Sequence, residues 1–262
     1  MRIVGIVSQK GGVGKTTISV NLAVELKSRG YETLLIDLDT SNPSVGFHVG
    51  IQESTIGIKQ FLEGQKGLTS YVTVHAPTGL HIIPGTIDAY DYDLTERGAK
   101  KIKTALKSMG YDFVVVDTSP GLGWKAVVED LIDEALIITT PDISSMTSAM
   151  RIAEYMDRIG KQHSMLVNRK RRKNYEISDR IISAHYGKNM LGTIGEEDKV
   201  MIGIGEHIPA TILYKRCAFS SGIHELASYY GAEAKGKRAA KPGKGRISSA
   251  FSSLFEKRGR KW

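Results

Sequence analysis

The stretch SQKGGVGKTT, residues 8–17, constrains the fold of this chain more than any other part of the sequence. Ahead of it, MRIVGIV is a short apolar run rich in β-branched residues, which predicts a buried strand. Behind it, apolar residues recur at helical spacing as far as Gly30, a residue suited to ending a helix. A glycine-rich turn between a strand and a helix is the context that a phosphate-binding loop requires.

Residue types within this loop match the chemistry of a nucleotide phosphate. Gly11, Gly12 and Gly14 allow the backbone to curl so that its N–H groups face an anion. The helix that begins near Lys15 adds the positive end of its dipole. Lys15 is placed to neutralise the β- and γ-phosphates, and Thr16 to offer a hydroxyl to Mg²⁺.

Further apolar runs alternate with helical patterns along the chain. The strand-like runs are TLLIDLD, LHIIPG, FVVVDTS, ALIITTP, SMLVNR and, more weakly, MLGTIG. The helical patterns span residues 14–29, 96–109, 144–159, 175–186 and 217–230. Continuous Val/Ile/Leu runs are typical of parallel strands covered on both faces. The sequence therefore predicts an α/β fold with a doubly wound, mostly parallel sheet of seven or eight strands.

Two of the predicted strands end in carboxylates. Ligands of doubly wound sheets bind beyond the carboxyl ends of the strands, so these side chains are candidates for Mg²⁺ chemistry. Asp37 and Asp39 end LLIDLD, and Asp117 ends FVVVD. We assign Asp117 and Asp37, with Thr16, to the metal site, where a carboxylate can hold Mg²⁺ through its water shell. Hydrolysis of a bound nucleotide also needs a group that orients the attacking water. Asp39, one step beyond its strand, is the candidate for that role.

Charge and cysteine content limit the class of protein. The net charge of +8 resides in residues 233–262, which contain ten Lys/Arg and two acidic residues, so the rest of the chain is neutral overall. The single cysteine, Cys217, excludes an internal disulfide and a cysteine-ligated metal site within one chain. With no secretory signal pattern and no run long enough to span a bilayer, we expect a cytoplasmic protein.

The C-terminal region divides into two parts. Residues 1–232 form the predicted ATPase domain, 233–246 read as a flexible basic linker, and 247–262 become patterned again. One helical stripe contains Ile247, Ala250, Phe251, Leu254 and Phe255, and Trp262 closes the chain. A stripe flanked by cations predicts an amphipathic helix lying in an anionic membrane surface. Docking on its own domain and binding of DNA or RNA are the alternatives.

Together the motifs resemble those of one family. KGGVGKTT, LLIDLD, DFVVVDTSPGLG, EALIITTPDISS and LVNR occur in one order over roughly residues 1–230. They are similar to the deviant Walker-A P-loop ATPases of the ParA/MinD family. The resemblance implies an ATP-hydrolysing switch: ATP favours a homodimer, and slow, partner-stimulated hydrolysis returns it to monomers.

The resemblance also implies roles for individual residues. Lys10 is the signature lysine, which reaches across the dimer to the phosphates of the second chain. Asn168 and Arg169 lie against the adenine, and Asp39 positions the water. The implied ATP and Mg²⁺ contacts of the loop involve Lys10, Gly11, Gly12, Val13, Gly14, Lys15, Thr16 and Thr17.

The motifs differ in which branch of the family they resemble. Gln9, in the position of the first glycine of the strict phosphate-loop pattern, is typical of partition ATPases that coat nucleoid DNA. The stretches DTSPGLG and TTPDISS, and the C-terminal helix, are similar to MinD. We therefore expect a MinD-like switch at the inner face of the membrane, serving an unidentified cargo or activating protein. The alternative is a ParA-type ATPase that binds DNA as an ATP dimer.

Overall fold

The computed structural model describes residues 1–51, 57–86, 94–121 and 124–234. Residues 235–262 lie outside these ranges, and with them nearly all of the predicted linker and the whole predicted amphipathic helix. The membrane-binding prediction for Ile247, Phe251, Leu254, Phe255 and Trp262 therefore remains a prediction from sequence.

A central sheet organises the described residues. Its strands are β1 (Arg2–Val7), β2 (Thr33–Leu38), β3 (Thr73–His75), β4 (Leu80–Ile83), β5 (Phe113–Thr118), β6 (Glu134–Thr139), β7 (Gln162–Lys170) and β8 (Met190–Gly195). These eight strands lie in the order β3-β4-β2-β5-β1-β6-β7-β8. The β3–β4 pair is antiparallel and the other pairs are parallel. The predicted α/β fold with a mostly parallel sheet is confirmed.

Helices cover both faces of this sheet. They are α1 (Lys15–Ser28), α2 (Val45–Val49), α3 (Ile58–Leu62), α4 (Glu96–Leu106), α5 (Ile143–Arg158), α6 (Asp179–Tyr186), α7 (Asp198–Gly205), α8 (Ala210–Leu213) and α9 (Ala218–Ala234). The five predicted helices correspond to α1, α4, α5, α6 and α9, and α9 extends four residues beyond the predicted end. Gly30, with a φ of 87°, follows the end of α1 as predicted. Within the described ranges, no helix has the length and apolar character needed to cross a membrane.

Alternation along the strands explains why the apolar runs are continuous. In β5, Phe113 and Val115 pack in the core on the α1 and α9 side of the sheet. Val114 and Val116 pack in the core on the α4 and α5 side. Because both faces are buried, each residue of the strand contributes to a core.

The same alternation places two carboxylates beside α1. Asp117 lies two residues after Val115, and Asp37 lies two residues after Leu35, which also packs on the α1 side. Asp37 and Asp117 are register partners on neighbouring strands. The fold therefore brings both side chains to the carboxyl edge of the sheet, next to the start of α1.

Candidate nucleotide-binding site

The loop between β1 and α1 depends on glycine geometry. Gly12 and Gly14 have φ angles of 75° and 94°, in the left-handed region that side chains disfavour. A Cβ atom at Gly14 would lie 2.4 Å from Nδ2 of Asn168. Gly14 also begins α1, since its carbonyl accepts the first helical hydrogen bond, from Ile18 N, at 3.0 Å. This position therefore admits glycine alone without rearrangement of Asn168.

The first turns of α1 connect the loop to the end of β5. Thr16 Oγ1 donates to Asp117 Oδ2 at 2.6 Å, and Ser19 Oγ donates to Asp117 Oδ1 at 2.9 Å. Lys15, 7% exposed, lies beside the same carboxylate and contributes to its electrostatics. The structure thus brings together Lys15, Thr16 and Asp117, which the sequence analysis assigned to phosphate and Mg²⁺.

Burial gives Asp117 an unusual acidity. Desolvation of the fully buried side chain raises the pKa of Asp117 to about 6, against the hydrogen bonds from Thr16 and Ser19 and the charge of Lys15, which lower it. The carboxylate therefore has an incompletely compensated negative charge at neutral pH. A divalent cation next to Thr16 would stabilise that charge.

Asp37 serves the loop that follows β2. Its Oδ1 accepts from the backbone N–H of Asp39, and its Oδ2 accepts from those of Ser44 and Val45, all at 3.0 Å. Burial, together with the charge of Asp117, raises the pKa of Asp37 well above its usual range. These three bonds fix the path of residues 39–45. The assignment of Asp37 to the metal site stays a prediction. Its three hydrogen bonds from backbone N–H groups indicate a structural role in holding this loop.

Asp39 lies at the carboxyl edge of the sheet, where the sequence analysis placed it. It is 7% exposed, and its Oδ1 accepts hydrogen bonds from the backbone N–H groups of Ser41, at 3.3 Å, and Asn42, at 3.1 Å. The next residue, Thr40, donates its N–H to Ser119 Oγ at 3.0 Å, which links this loop to the segment after β5. These contacts hold the Asp39 carboxylate in one orientation.

Lys10 extends away from the centre of its own loop. Its Nζ lies 3.2 Å from Asp142 Oδ1, and the two side chains are 44% and 49% exposed. Asp142 caps α5 by accepting from Ser145 N at 3.0 Å. Partial burial opposes ionisation, yet hydrogen bonds from Thr140 and Ser145 hold the pKa of Asp142 well below its usual range. Lys10 is therefore a surface cation next to the phosphate loop, while Lys15 is buried inside it.

A cleft of about 320 Å³ opens beside the loop on the β7 side. Its lining consists of Lys10, Gly11, Gly12, Val13, Thr140, Pro141, Asp142, Arg169, Arg171, Tyr175 and Glu176. Asn168 Nδ2 donates to Val13 O, and Arg169 Nη1 donates to Gly12 O, both at 2.9 Å. The two residues that the family resemblance assigns to adenine thus contact the backbone of the loop. Arg169 also lines the cleft, which extends from the loop to Tyr175 and Glu176.

Glu196 organises the basic residues at the rim of this cleft. It pairs with Arg169 Nη2 at 2.9 Å and with Arg171 Nε. The hydrogen bond from Arg171 lowers the pKa of Glu196 to about 2, with Arg169 adding to the effect. Part of the basic run at 168–173 is therefore neutralised within the chain.

Sequence reasoning missed three polar residues of the site. Ser19 lies one helical turn after Lys15, and its place between the apolar residues Ile18 and Val20 was the signal that could have identified it. Ser44 Oγ lies 2.9 Å from Thr16 Oγ1, and His48 Nε2 lies 3.3 Å from Thr17 Oγ1. No local sequence pattern predicts these two contacts, because they depend on the path of the loop after β2.

The donor set fits a magnesium nucleotide. A buried lysine, a glycine-lined backbone turn, and a hydroxyl beside a buried carboxylate are suited to a phosphate chain with a hard cation. Within the described ranges no cluster of three or more His, Cys, Asp or Glu side chains has the arrangement of a self-contained metal site. Mg²⁺ is commonly held by one or two protein groups with phosphate and water.

Comparison with known proteins identifies the family. The model of a family described as AAA domain matches residues 1–170. The chain belongs to this family, among the P-loop ATPases of the ParA/MinD type. A putative septum site-determining protein MinD from Chlorella vulgaris is 28% identical over 236 residues, which cover 87% of this chain and 83% of the relative.

Solved structures show the same relationship. The septum site-determining protein MinD from Pyrococcus horikoshii OT3, complexed with Mg-ADP, superposes with a TM-score of 0.79 at 26% identity, covering 91% of this chain and 99% of that one. MinD in the MinC:MinD cell division complex from Aquifex aeolicus superposes with a TM-score of 0.78 at 25% identity, covering 88% and 96%. The family resemblance inferred from the motifs is confirmed.

Proposed function

We propose that this chain is a MinD-type switch that hydrolyses ATP with Mg²⁺, dimerises when ATP is bound, and resides on the inner face of the membrane as a dimer. The observation that carries the proposal is the separation of the two loop lysines. Lys15 is buried beside Asp117, whereas Lys10 is exposed at the rim of the same site. Because Lys15 already serves the phosphates of its own chain in this proposal, Lys10 is available to bind the phosphates of a second chain.

The chain's own residues account for the reaction ATP + water → ADP + phosphate. The loop N–H groups and Lys15 would bind and orient the phosphates, and Thr16 and Asp117 would hold the cation. Asp39 is fixed through Oδ1, and Oδ2 is the oxygen that we assign to the attacking water. When bound, Mg²⁺ neutralises charge that develops on the transferred phosphate.

Lys10 completes the site of the second chain in this proposal. A cation placed opposite the developing phosphate charge lowers the barrier in the way that an arginine finger does. Dimerisation and hydrolysis then depend on the same side chain. To reach a second chain, Lys10 must leave Asp142, and since that pair is half exposed its rupture costs only ~0–1 kcal/mol.

The C-terminal region connects the dimer to the membrane. Full burial of a large apolar side chain stabilises by ~1.5–3 kcal/mol, and each nearby cation adds ~1 kcal/mol at an anionic surface. An interfacial helix buries one face only, so we expect one copy of residues 247–262 to bind marginally. Two copies on one dimer bind far more tightly through effective concentration. ATP thereby controls membrane residence without contacting lipid.

Partners and location follow from this scheme. We propose a cytoplasmic monomer and a peripheral membrane dimer, with an activating or cargo protein that acts on the dimer. The MinC:MinD complex of Aquifex aeolicus gives a precedent for a protein partner of a relative.

Co-sedimentation tests the proposal. The full chain is mixed with anionic liposomes, and separately with DNA, each with ATP and with ADP. We expect sedimentation with liposomes in ATP, and its loss in a chain that stops after Ala234, the end of α9. Leu254→Gln, on the apolar stripe, should weaken it, and Ser253→Gln, off the stripe, should not. Sedimentation with DNA but not with liposomes would instead support the partition-type alternative.

A further inference from the structure

Ser44, the N-cap residue of α2, and His48, within α2, contact the two threonine hydroxyls of the phosphate loop. Ser44, at the N-cap of α2, places Oγ 2.9 Å from Thr16 Oγ1. His48, four residues later and so on the same face of the helix, places Nε2 3.3 Å from Thr17 Oγ1. The family resemblance assigned both threonines to the nucleotide and gave Ser44 and His48 no role.

The proton positions in these contacts follow from the neighbouring bonds. His48 Nδ1 lies 2.9 Å from the carbonyl oxygen of Ser44, which only accepts, so Nδ1 carries the proton. Nε2 of the neutral ring is then an acceptor, and Thr17 donates to it. Burial lowers the pKa of His48, in agreement with a neutral ring. Thr16 donates its proton to Asp117, so Ser44 donates to Thr16.

Each of these contacts uses an atom that a magnesium nucleotide also needs. A hydroxyl oxygen that coordinates a divalent cation gives up electron density, which makes it a weaker acceptor for Ser44. A phosphate oxygen that accepts the hydrogen bond from the Thr17 hydroxyl replaces His48 as its acceptor. We propose that α2 and the magnesium nucleotide compete for the hydroxyls of Thr16 and Thr17, with Ser44 sensing the cation and His48 the phosphate.

This inference rests on the proposed function, because it assumes that the loop binds a nucleotide. It makes Ser44 and His48 positioning residues, which act through the threonines. His207 contacts the same short helix: its Nδ1 lies 2.7 Å from the carbonyl oxygen of Phe47, and its side chain packs against Gly50, where an added Cβ would lie 3.1 Å from His207 Cβ. Release of α2 would therefore change its contacts with His207, which follows α7.

Equilibrium binding of a fluorescent ADP analogue, with Mg²⁺ and with EDTA, separates the two contacts. Ser44→Ala should bind about threefold to tenfold more tightly than wild type in Mg²⁺, the range for one net hydrogen bond. In EDTA it should match wild type. His48→Phe, which keeps a ring of similar size without the acceptor nitrogen, should bind more tightly in both buffers.

Two variants serve as matched controls. Ser41→Ala makes the same change at an exposed position of the same loop and should behave as wild type. Ser44→Thr keeps a hydroxyl and should restore wild-type affinity. Hydrogen exchange supplies a readout independent of affinity: Mg-ADP should speed exchange of the amides of 45–49 in wild type, and the Ser44→Ala, His48→Phe double variant should exchange quickly without it.

The possible results separate the two proposals. Weaker or unchanged binding of Ser44→Ala in Mg²⁺ overturns the competition for Thr16, and unchanged binding of His48→Phe overturns the competition for Thr17. In both cases wild-type binding leaves the proposed function intact. Failure of wild type to bind the ADP analogue in either buffer overturns the proposed function and this inference with it.

Discussion

Thr16 Oγ1 donates a hydrogen bond of 2.6 Å to Asp117 Oδ2, although the two residues lie 101 positions apart in the chain. The bond joins the first turn of the helix after the phosphate loop to the end of a central strand. Ser19 Oγ donates a second hydrogen bond, to the other carboxylate oxygen of Asp117. These two bonds hold the loop, α1 and β5 together at the place that the sequence predicts for Mg²⁺.

Replacing Asp117 by Asn should separate stability from cation binding. The folded-state pKa of about 6 lies above the ordinary value of 3.8, so ionisation disfavours the folded state. The penalty is absent below about pH 4, grows as the pH rises to about 6, and is then constant. We expect Asp117→Asn to raise the free energy of unfolding by ~1–3 kcal/mol at pH 7.5 and to have little effect at pH 4.

Urea unfolding in EDTA at the two pH values measures this difference. Glu154→Gln, at an exposed position of α5, removes a carboxylate without burial and should change neither value. The same Asn variant should lose the Mg²⁺-dependent gain in nucleotide affinity. If Asp117→Asn is less stable than wild type at pH 7.5 but not at pH 4, the prediction is wrong. The ionised carboxylate would then be stabilised by Lys15, Thr16 and Ser19 by more than burial costs it.

Gly14→Ala should damage the loop while Gly11→Ala leaves its fold intact. At Gly14 a side chain meets both a φ of 94° and Nδ2 of Asn168 at 2.4 Å, whereas at Gly11 no atom lies within 4 Å. The left-handed conformation alone costs ~1–2 kcal/mol for an alanine. Thermal unfolding should show a lower midpoint for Gly14→Ala and an unchanged one for Gly11→Ala. Equal midpoints would mean that the loop adopts another conformation in solution.

Asp39→Ala should abolish turnover and spare binding. If Asp39 orients the attacking water, its loss should slow the chemical step by ~10²–10⁴-fold. Single-turnover hydrolysis with saturating ATP measures that step directly. Asn42→Ala, at an exposed position of the same loop, is the control for altered loop stability and should hydrolyse ATP normally. A near-normal rate for Asp39→Ala would assign the water to another residue.

The sequence predicted the long elements of the fold because strands buried on both faces produce continuous apolar runs and long helices place apolar residues at helical spacing. It missed β3, a three-residue strand with two exposed residues that pairs with β4 in the antiparallel direction. It also missed α2, α3, α7 and α8, which have four to eight residues. Such short helices complete too few turns to produce a period, and their positions are set by tertiary packing.

Prediction of the site followed the same limit. The proximity of Thr16 and Asp117 could be predicted, because the loop pattern and the strand end each carry a local signal and parallel topology brings the two together. Ser44 and His48 carry none, because their positions depend on the bonds by which Asp37 holds the backbone of the following loop. The direction of Lys10 toward Asp142 likewise depends on where α5 begins.

The mass of the protein in ATP, measured by light scattering during gel filtration, tests whether Lys10 acts across an ATP-dependent dimer. Asp39→Ala should hold ATP without hydrolysis and elute at twice 28.7 kDa with Mg-ATP, and at 28.7 kDa with Mg-ADP. Adding Lys10→Ala should weaken dimerisation by at least ~30-fold, as loss of a charge pair worth ~2–5 kcal/mol implies, while ATP binding persists. Lys107→Ala, at an exposed site, should dimerise normally. A Lys10→Ala chain that dimerises as its parent does would contradict the account.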